Sequence, residues 1–262
     1  MPESLAAVLW DMDGTLVDSE RLWDVSLADL AAHLGGTLSA ATREDLVGSS
    51  LRRSVSAVRA EVGLDPGDHA GVEADGRWLL ERTKELFARD LPWRPGAREA
   101  LAAVRSGGVA TALVTSTYRE LTEVALDTIG REYFDVTVCG DEVTATKPDP
   151  APYRRAAELL GVDPAACVAV EDSPTGTRSA VAAGATVLVV PSEVPVPAGE
   201  RRILRESLVG LTVDDLRAAL PVTVRTRTDG PFGASGRPDG AAAGRGTNGC
   251  GGAREPRLCT PQ

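Results

Sequence analysis

Five short apolar runs rich in Val and Ala constrain this chain more than any other feature: AAVLW (6–10), VATALVT (109–115), FDVTV (134–138), CVAVE (167–171) and ATVLVV (185–190). Runs of this length and uniform hydrophobicity suit strands buried on both faces. Between the later ones lie helix-period stretches, YRELTEVALDTIG, APYRRAAELLG and TGTRSAVAAG, each stopping at a Gly suited to closing a helix. Strand and helix in alternation predict an α/β fold, a doubly wound parallel sheet with helices on both faces. Aromatic residues make up only 4% of the chain, so such a core must be mostly Ala, Val and Leu.

The first run is separated from the second by nearly a hundred residues, too many for one crossover helix. Residues 18–91 carry their own helical patterns, such as RLWDVSLADLAAHLG and GVEADGRWLLERTKELFARD. We read them as a small helical cap domain inserted into an α/β core of residues 1–17 and 92–221. Hinges are expected at Val17–Asp18 and at LPWRPG (91–96). Residues 222–262 hold 9 of the 27 Gly and few large apolar side chains, which predicts a disordered tail.

A formal charge of −10 argues against nucleic-acid or anionic-membrane partners, which call for a basic surface. No window approaches a membrane span, and LAAVLW is too short for a signal peptide before it meets Asp11. Cys139 and Cys167 lie in apolar stretches and Cys250 and Cys259 in the tail, with no disulfide framework, which fits a reducing cytoplasm. The chain is expected to act as a soluble monomer.

In an open α/β sheet, functional groups collect beyond the carboxyl ends of the strands. Asp11, Asp13 and Thr15 follow the first run, Thr115 and Ser116 the second, Lys147 lies between the third and fourth, and Glu171, Asp172 and Ser173 close the fourth. Taken singly, each has a structural explanation: a DG turn, helix caps at Thr115, Ser116, Asp172 or Ser173, an exposed KPDP loop. All four groups in order after successive strands point to one site. Two unit charges about 4 Å apart repel by roughly 4 kcal/mol at an effective dielectric near 20. Four converging carboxylates therefore require cations, and Mg²⁺ with its preference for hard oxygen ligands is the natural one, with Lys147 as a second positive charge.

The series D-x-D-G-T, Thr or Ser, K-P and E-D resembles the haloacid dehalogenase-like hydrolase superfamily, over about residues 5–221. Longer runs, DMDGTLVDSERLWD and ELLGVDPAACVAVEDSPTG, are similar to its branch of sugar-phosphate phosphatases, phosphoglycolate phosphatases and β-phosphoglucomutases. The resemblance implies a Rossmann-like core and hydrolysis of a small-molecule phosphomonoester through an aspartyl-phosphate. Asp11 would be the nucleophile and Asp13 the acid and base. Lys147 and Thr115 would act by charge and hydrogen bonding. Mg²⁺ would be held by Asp11, the backbone carbonyl of Asp13 and Asp172, with Glu171 in or just outside that shell. Gly14 would allow a tight bend against the phosphate.

Candidate substrate contacts are Gly14, Ser116 and, in the insertion, Glu20 and the loop DLVGSSLRRS with Gly48, Ser49 and Arg52. The loop can equally be a solvated helix start capped by Ser49 or Ser50, and Glu20 can face the site or merely begin a helix. The β-phosphoglucomutases carry a His where this chain has Trp23, and their cap-loop Arg falls near Leu51, just before Arg52 and Arg53. Simple hydrolysis of a phosphomonoester is therefore favoured over a mutase, and the similarity of DSERLWD to that branch tilts the substrate toward hexose or polyol phosphates. Trp23 reads as packing. His33 and His69 are assigned no role. The alternatives are a β-phosphoglucomutase-like phosphotransferase and a non-enzymatic phosphate-responsive module, and retention of Asp13 argues against the latter.

Overall fold

The computed structural model describes residues 5–46, 49–192 and 194–221, so the expectations for Gly48 and for residues 222–262 lie outside the described residues. Its strands are β1 (Ala7–Trp10), β2 (Ala110–Val114), β3 (Val136–Val138), β4 (Cys167–Glu171), β5 (Thr186–Val189) and β6 (Arg202–Leu204). They form one sheet in the order β3-β2-β1-β4-β5-β6, with every pairing parallel. This is the doubly wound order, and its topological switch falls between β1 and β4.

All five apolar runs are strands, each trimmed by at most two residues at either end. The alternation of side chains sorts them onto two faces. Val8, Trp10, Leu113, Val168, Val170 and Leu188 pack with α5 (Ala97–Ser106), α6 (Arg119–Ile129) and α9 (Val213–Ala219). Ala7, Leu9, Ala112, Val114, Ala169, Val187 and Val189 face the other way, against α7 (Ala151–Leu160) and α8 (Pro174–Ala183). Both β1 and β4 are buried along their whole length, which is why they read as unbroken apolar runs.

Residues between β1 and α5 form α1 (Glu20–His33), α2 (Ala40–Asp45), α3 (Leu51–Glu61) and α4 (His69–Arg89). Leu27, Leu30, Val55, Val58, Val72 and Leu79 make a separate apolar cluster within them. Ser39, Ser50 and Asp68 cap α2, α3 and α4 by accepting backbone N–H bonds. Buried Arg59 ties α3 to the start of α4 through Asp75 at 2.5 Å and Asp68 at 3.0 Å.

The two linkers lie side by side: Asp18 N donates to Pro92 O at 2.8 Å and Arg94 N to Leu16 O at 2.9 Å. Contact with the core goes further than these expected hinges. Leu80 and Phe87 of α4 join the α5/α6 face, and Lys84 pairs with Glu120 of α6 at 2.6 Å. Among the described residues no helix is long and apolar enough to cross a membrane.

Candidate active site

The site lies at the carboxyl ends of β1 and β4, where the strand order reverses. Asp11 extends β1 by one backbone bond to Val170 and is buried. Its Oδ1 accepts from Lys147 Nζ at 2.5 Å and its Oδ2 from Thr15 Oγ1 at 2.9 Å. Lys147 also donates to Glu171 Oε1 at 2.7 Å, and Thr15 reaches Asp172 Oδ1 at 3.3 Å. The Lys147 side chain is 5% exposed, so KPDP does not present this ammonium to solvent. Tyr153 of α7 donates from its hydroxyl to Glu171 Oε1 at 2.6 Å; burial and then the Glu171 charge push the phenol well above its usual range, so it remains a donor.

Asp11, Glu171 and Asp172 each offer an oxygen, and these atoms lie within 4.8 Å of one another. Burial pushes Asp11 up to about 7, with Glu171 and Asp13 adding to the effect and Lys147 opposing it. Asp172 is also raised, by burial and then by the charges of Asp11, Glu171 and Glu20. Burial would lower the Lys147 ammonium, yet Asp11 and Glu171 hold it above its usual range. One lysine therefore faces three buried carboxylates, two of which resist ionising. Such a set of hard oxygens short of positive charge fits a divalent cation.

Asp13 is held separately. Its Oδ1 accepts from Ser19 Oγ at 2.7 Å and Trp23 Nε1 at 3.5 Å; its Oδ2 accepts from Thr117 Oγ1 at 2.8 Å and Thr115 Oγ1 at 3.1 Å. Because β1 ends at Trp10, Asp11 and Asp13 sit on the loop after it and not on the strand, although Met12 between them still packs into the core. Gly14 has φ +79°, and a Cβ there would lie 2.3 Å from Asp172 Oδ2. Gly14 thus allows a close approach of the backbone to the Asp172 carboxylate. Glu20 begins α1 and also faces the site: its Cδ would lie 3.4 Å from that same Cβ, and its Oε2 accepts from Ser192 Oγ at 2.8 Å.

Residues 5–184 match the sequence model of the haloacid dehalogenase-like hydrolases. The chain belongs to that family. Hexitol phosphatase B of Escherichia coli is 31% identical to this haloacid dehalogenase-like hydrolase over 82% of the chain and 98% of its own length. A phosphorylated carbohydrates phosphatase of Thermotoga maritima is 33% identical over 69% of the chain and 82% of its own. Among solved structures, CbbY from Rhodobacter sphaeroides in complex with phosphate superposes with a TM-score of 0.73 at 29% identity, covering 82% of this chain and 99% of that one.

Other expected contacts of this hydrolase are placed differently. Ser116 is exposed and makes no side-chain hydrogen bond among the described residues; its carbonyl lies against Gly140. Neither it nor Thr115 caps α6, whose Arg119 N–H is satisfied by Asp141 at 2.8 Å. Ser173 does cap α8. In the insertion, Arg52 contacts His69 Nδ1 at 2.6 Å and Ser49 contacts Ser54 at 2.8 Å, while Ser50 is the cap. No hydrogen bond or ion pair joins Ser49 or Arg52 to the site carboxylates among the described residues. His33 stacks on Trp78. Burial pushes the Cys139 and Cys167 thiols up to about 11 and about 12, consistent with apolar filling. Trp23 does pack, edge-on to Phe87, but its N–H also reaches Asp13. The contacts of Ser19, Thr117 and Tyr153 were not anticipated from sequence.

Proposed function

We propose that this chain is a phosphomonoester hydrolase for small phosphorylated metabolites, and that its substrates are sugar or polyol phosphates. The carrying observation is the pair of carboxylates on one loop with unlike surroundings: Asp11 buried against Lys147, and Asp13 held by hydroxyl and indole donors. Relatives that act on hexitol and carbohydrate phosphates support the substrate class.

In this reading Asp11 attacks phosphorus, and the bond to the leaving oxygen breaks as Asp13 supplies its proton. Asp13 then takes a proton from the water that attacks the aspartyl-phosphate, releasing phosphate and restoring Asp11. Lys147 balances charge on Asp11, and the Thr115 hydroxyl would turn from Asp13 toward phosphate oxygens. Asp11, Asp172 and Glu171, with the Asp13 carbonyl, would hold Mg²⁺, which when bound neutralises charge between nucleophile and phosphate. Trp23 favours hydrolysis over a mutase, since its indole N–H donates but cannot carry a proton back and forth.

Residues 18–91 would act as the cap on a core of residues 1–17 and 92–221, with Glu20 contacting substrate hydroxyls. Closure should slow amide exchange at residues 19–23 when vanadate is added; unchanged exchange would refute it. Buried, free Cys139 and Cys167 suit a cytoplasmic setting.

Replacing Asp13 by Asn is expected to lower kcat/KM by about 10²–10⁴ and to remove one limb of its pH profile. A profile of unchanged shape would take Asp13 out of the acid–base role. The function itself is tested by phosphate release from hexose, polyol, glycolate and nucleoside monophosphates, with Mg²⁺ or with chelator, using Asp11→Asn as the blank. Metal-dependent turnover concentrated on sugar or polyol phosphates is expected. Folded protein silent on the whole panel would overturn the reading.

A further inference from the structure

Tyr153 lies on α7, outside every motif that led to the site, and its side chain is fully buried. Its ring packs into the Ala-rich face of the sheet with Ala156 and Ala7, as a core residue would. Phenylalanine would fill that space equally well. The hydroxyl in a dry position needs a partner, and the one it has is Glu171 Oε1.

That oxygen also accepts from Lys147, whose ammonium sits 5.1 Å from the Tyr153 ring centre. The other oxygen, Oε2, has longer contacts, at 3.2 Å with Ser173 Oγ and 3.4 Å with Ser173 N. On a third side the carboxylate rests directly on the first turn of α8, where a Cβ at Gly176 would lie 1.8 Å from Oε1. Glu171 is thus gripped by α7, the Lys147 loop and α8, with its two strongest donors converging on one oxygen.

We infer that Tyr153 is a positioning residue of the acidic site: its hydroxyl, together with Lys147, fixes Oε1 of Glu171 and so holds that carboxylate in place beside Asp11 and Asp172. The inference rests on reading that cluster as the seat of a divalent cation. Partners that orient metal-holding carboxylates typically change metal affinity or activity about 10–100-fold when removed. Tyr153→Phe keeps the ring, its packing and its face toward Lys147, and deletes only the donor.

The test is calorimetric titration of the full chain, free of phosphate, with Mg²⁺ and separately with Mn²⁺. Wild type should bind, and Tyr153→Phe should bind about 10-fold more weakly, with kcat reduced and KM for substrate little changed. Equal or tighter binding by a folded variant overturns the inference while leaving the metal reading intact, even if the variant melts earlier. Absence of binding by wild type overturns both. Should Tyr153→Phe fail to fold, fluorine NMR of wild type labelled with fluorotyrosine replaces it, since the chain has only three Tyr and the other two can be assigned by substitution. The Tyr153 resonance should move on Mg²⁺ addition; a stationary one overturns the inference.

Discussion

Replacing Asp11 by Asn should lower kcat by roughly four to six orders of magnitude, the loss expected from its proposed role as nucleophile, and should at the same time make the metal-free protein more stable above pH 7. The stability effect follows from burial. The Asp11 carboxyl, ordinarily at 3.8, is pushed up to about 7 in the folded protein. The fold therefore binds that proton more tightly than the unfolded chain does. Its favourable contribution is complete below pH 3.8 and is lost as pH rises toward 7, where the carboxylate costs on the order of a few kcal/mol. Asn carries no charge at any pH, so the variant's advantage should grow between pH 4 and 7 and vanish below it. Urea unfolding at pH 4.5 and pH 8, without divalent cation, measures this directly. A variant less stable than wild type at pH 8 would mean that Lys147 compensates the carboxylate fully.

Removing the lysine acts in the opposite direction. Lys147→Met leaves Asp11, Glu171 and Asp172 together with no cation bonded to them. Breaking a buried pair in this way typically costs about 3–5 kcal/mol, and losing the charge beside Asp11 should lower kcat by about 10²–10³. The Lys147 ammonium titrates above its usual 10.5, so its contribution is complete at pH 8 and disappears only in strong base. The deficit in Lys147→Met should shrink on acidification, as the carboxylates take up protons, and should shrink again with millimolar Mg²⁺. Equal urea midpoints for variant and wild type at pH 8 would show that the three carboxylates do not need the lysine.

How much of this was legible in the sequence depends on whether the signal is local. β1 and β4 are buried on both faces, so their apolar runs stand out. β6 is three residues long at the sheet edge, with Ile203 and Leu204 exposed, and leaves no such trace. Asp11, Lys147, Glu171 and Asp172 could be found because each follows a strand end in chain order. Thr117 and Tyr153 could not. The bond from Thr117 to Asp13 spans 104 positions, and a lone hydroxyl carries no periodicity to betray it. Tyr153 sits where a helix shows its apolar face and reads as ordinary core. Arg52 shows the converse: a charged side chain in a Gly/Ser-rich loop suggests substrate, and its contact with His69, 17 positions away, leaves no local trace.

The paired linkers bear on how the chain finds its fold. β1 must pair with β2 across about a hundred intervening residues, a separation that ordinarily slows folding because the loop is costly to close. Yet Leu16 to Asp18 and Pro92 to Arg94 are bonded to each other, and α1–α4 have an apolar cluster of their own. Once those helices have collapsed, the distance left to close is that of a hairpin. A sheet assembled in this order meets the insertion as a short turn, and the insertion's length and sequence can change without lengthening the search for β2.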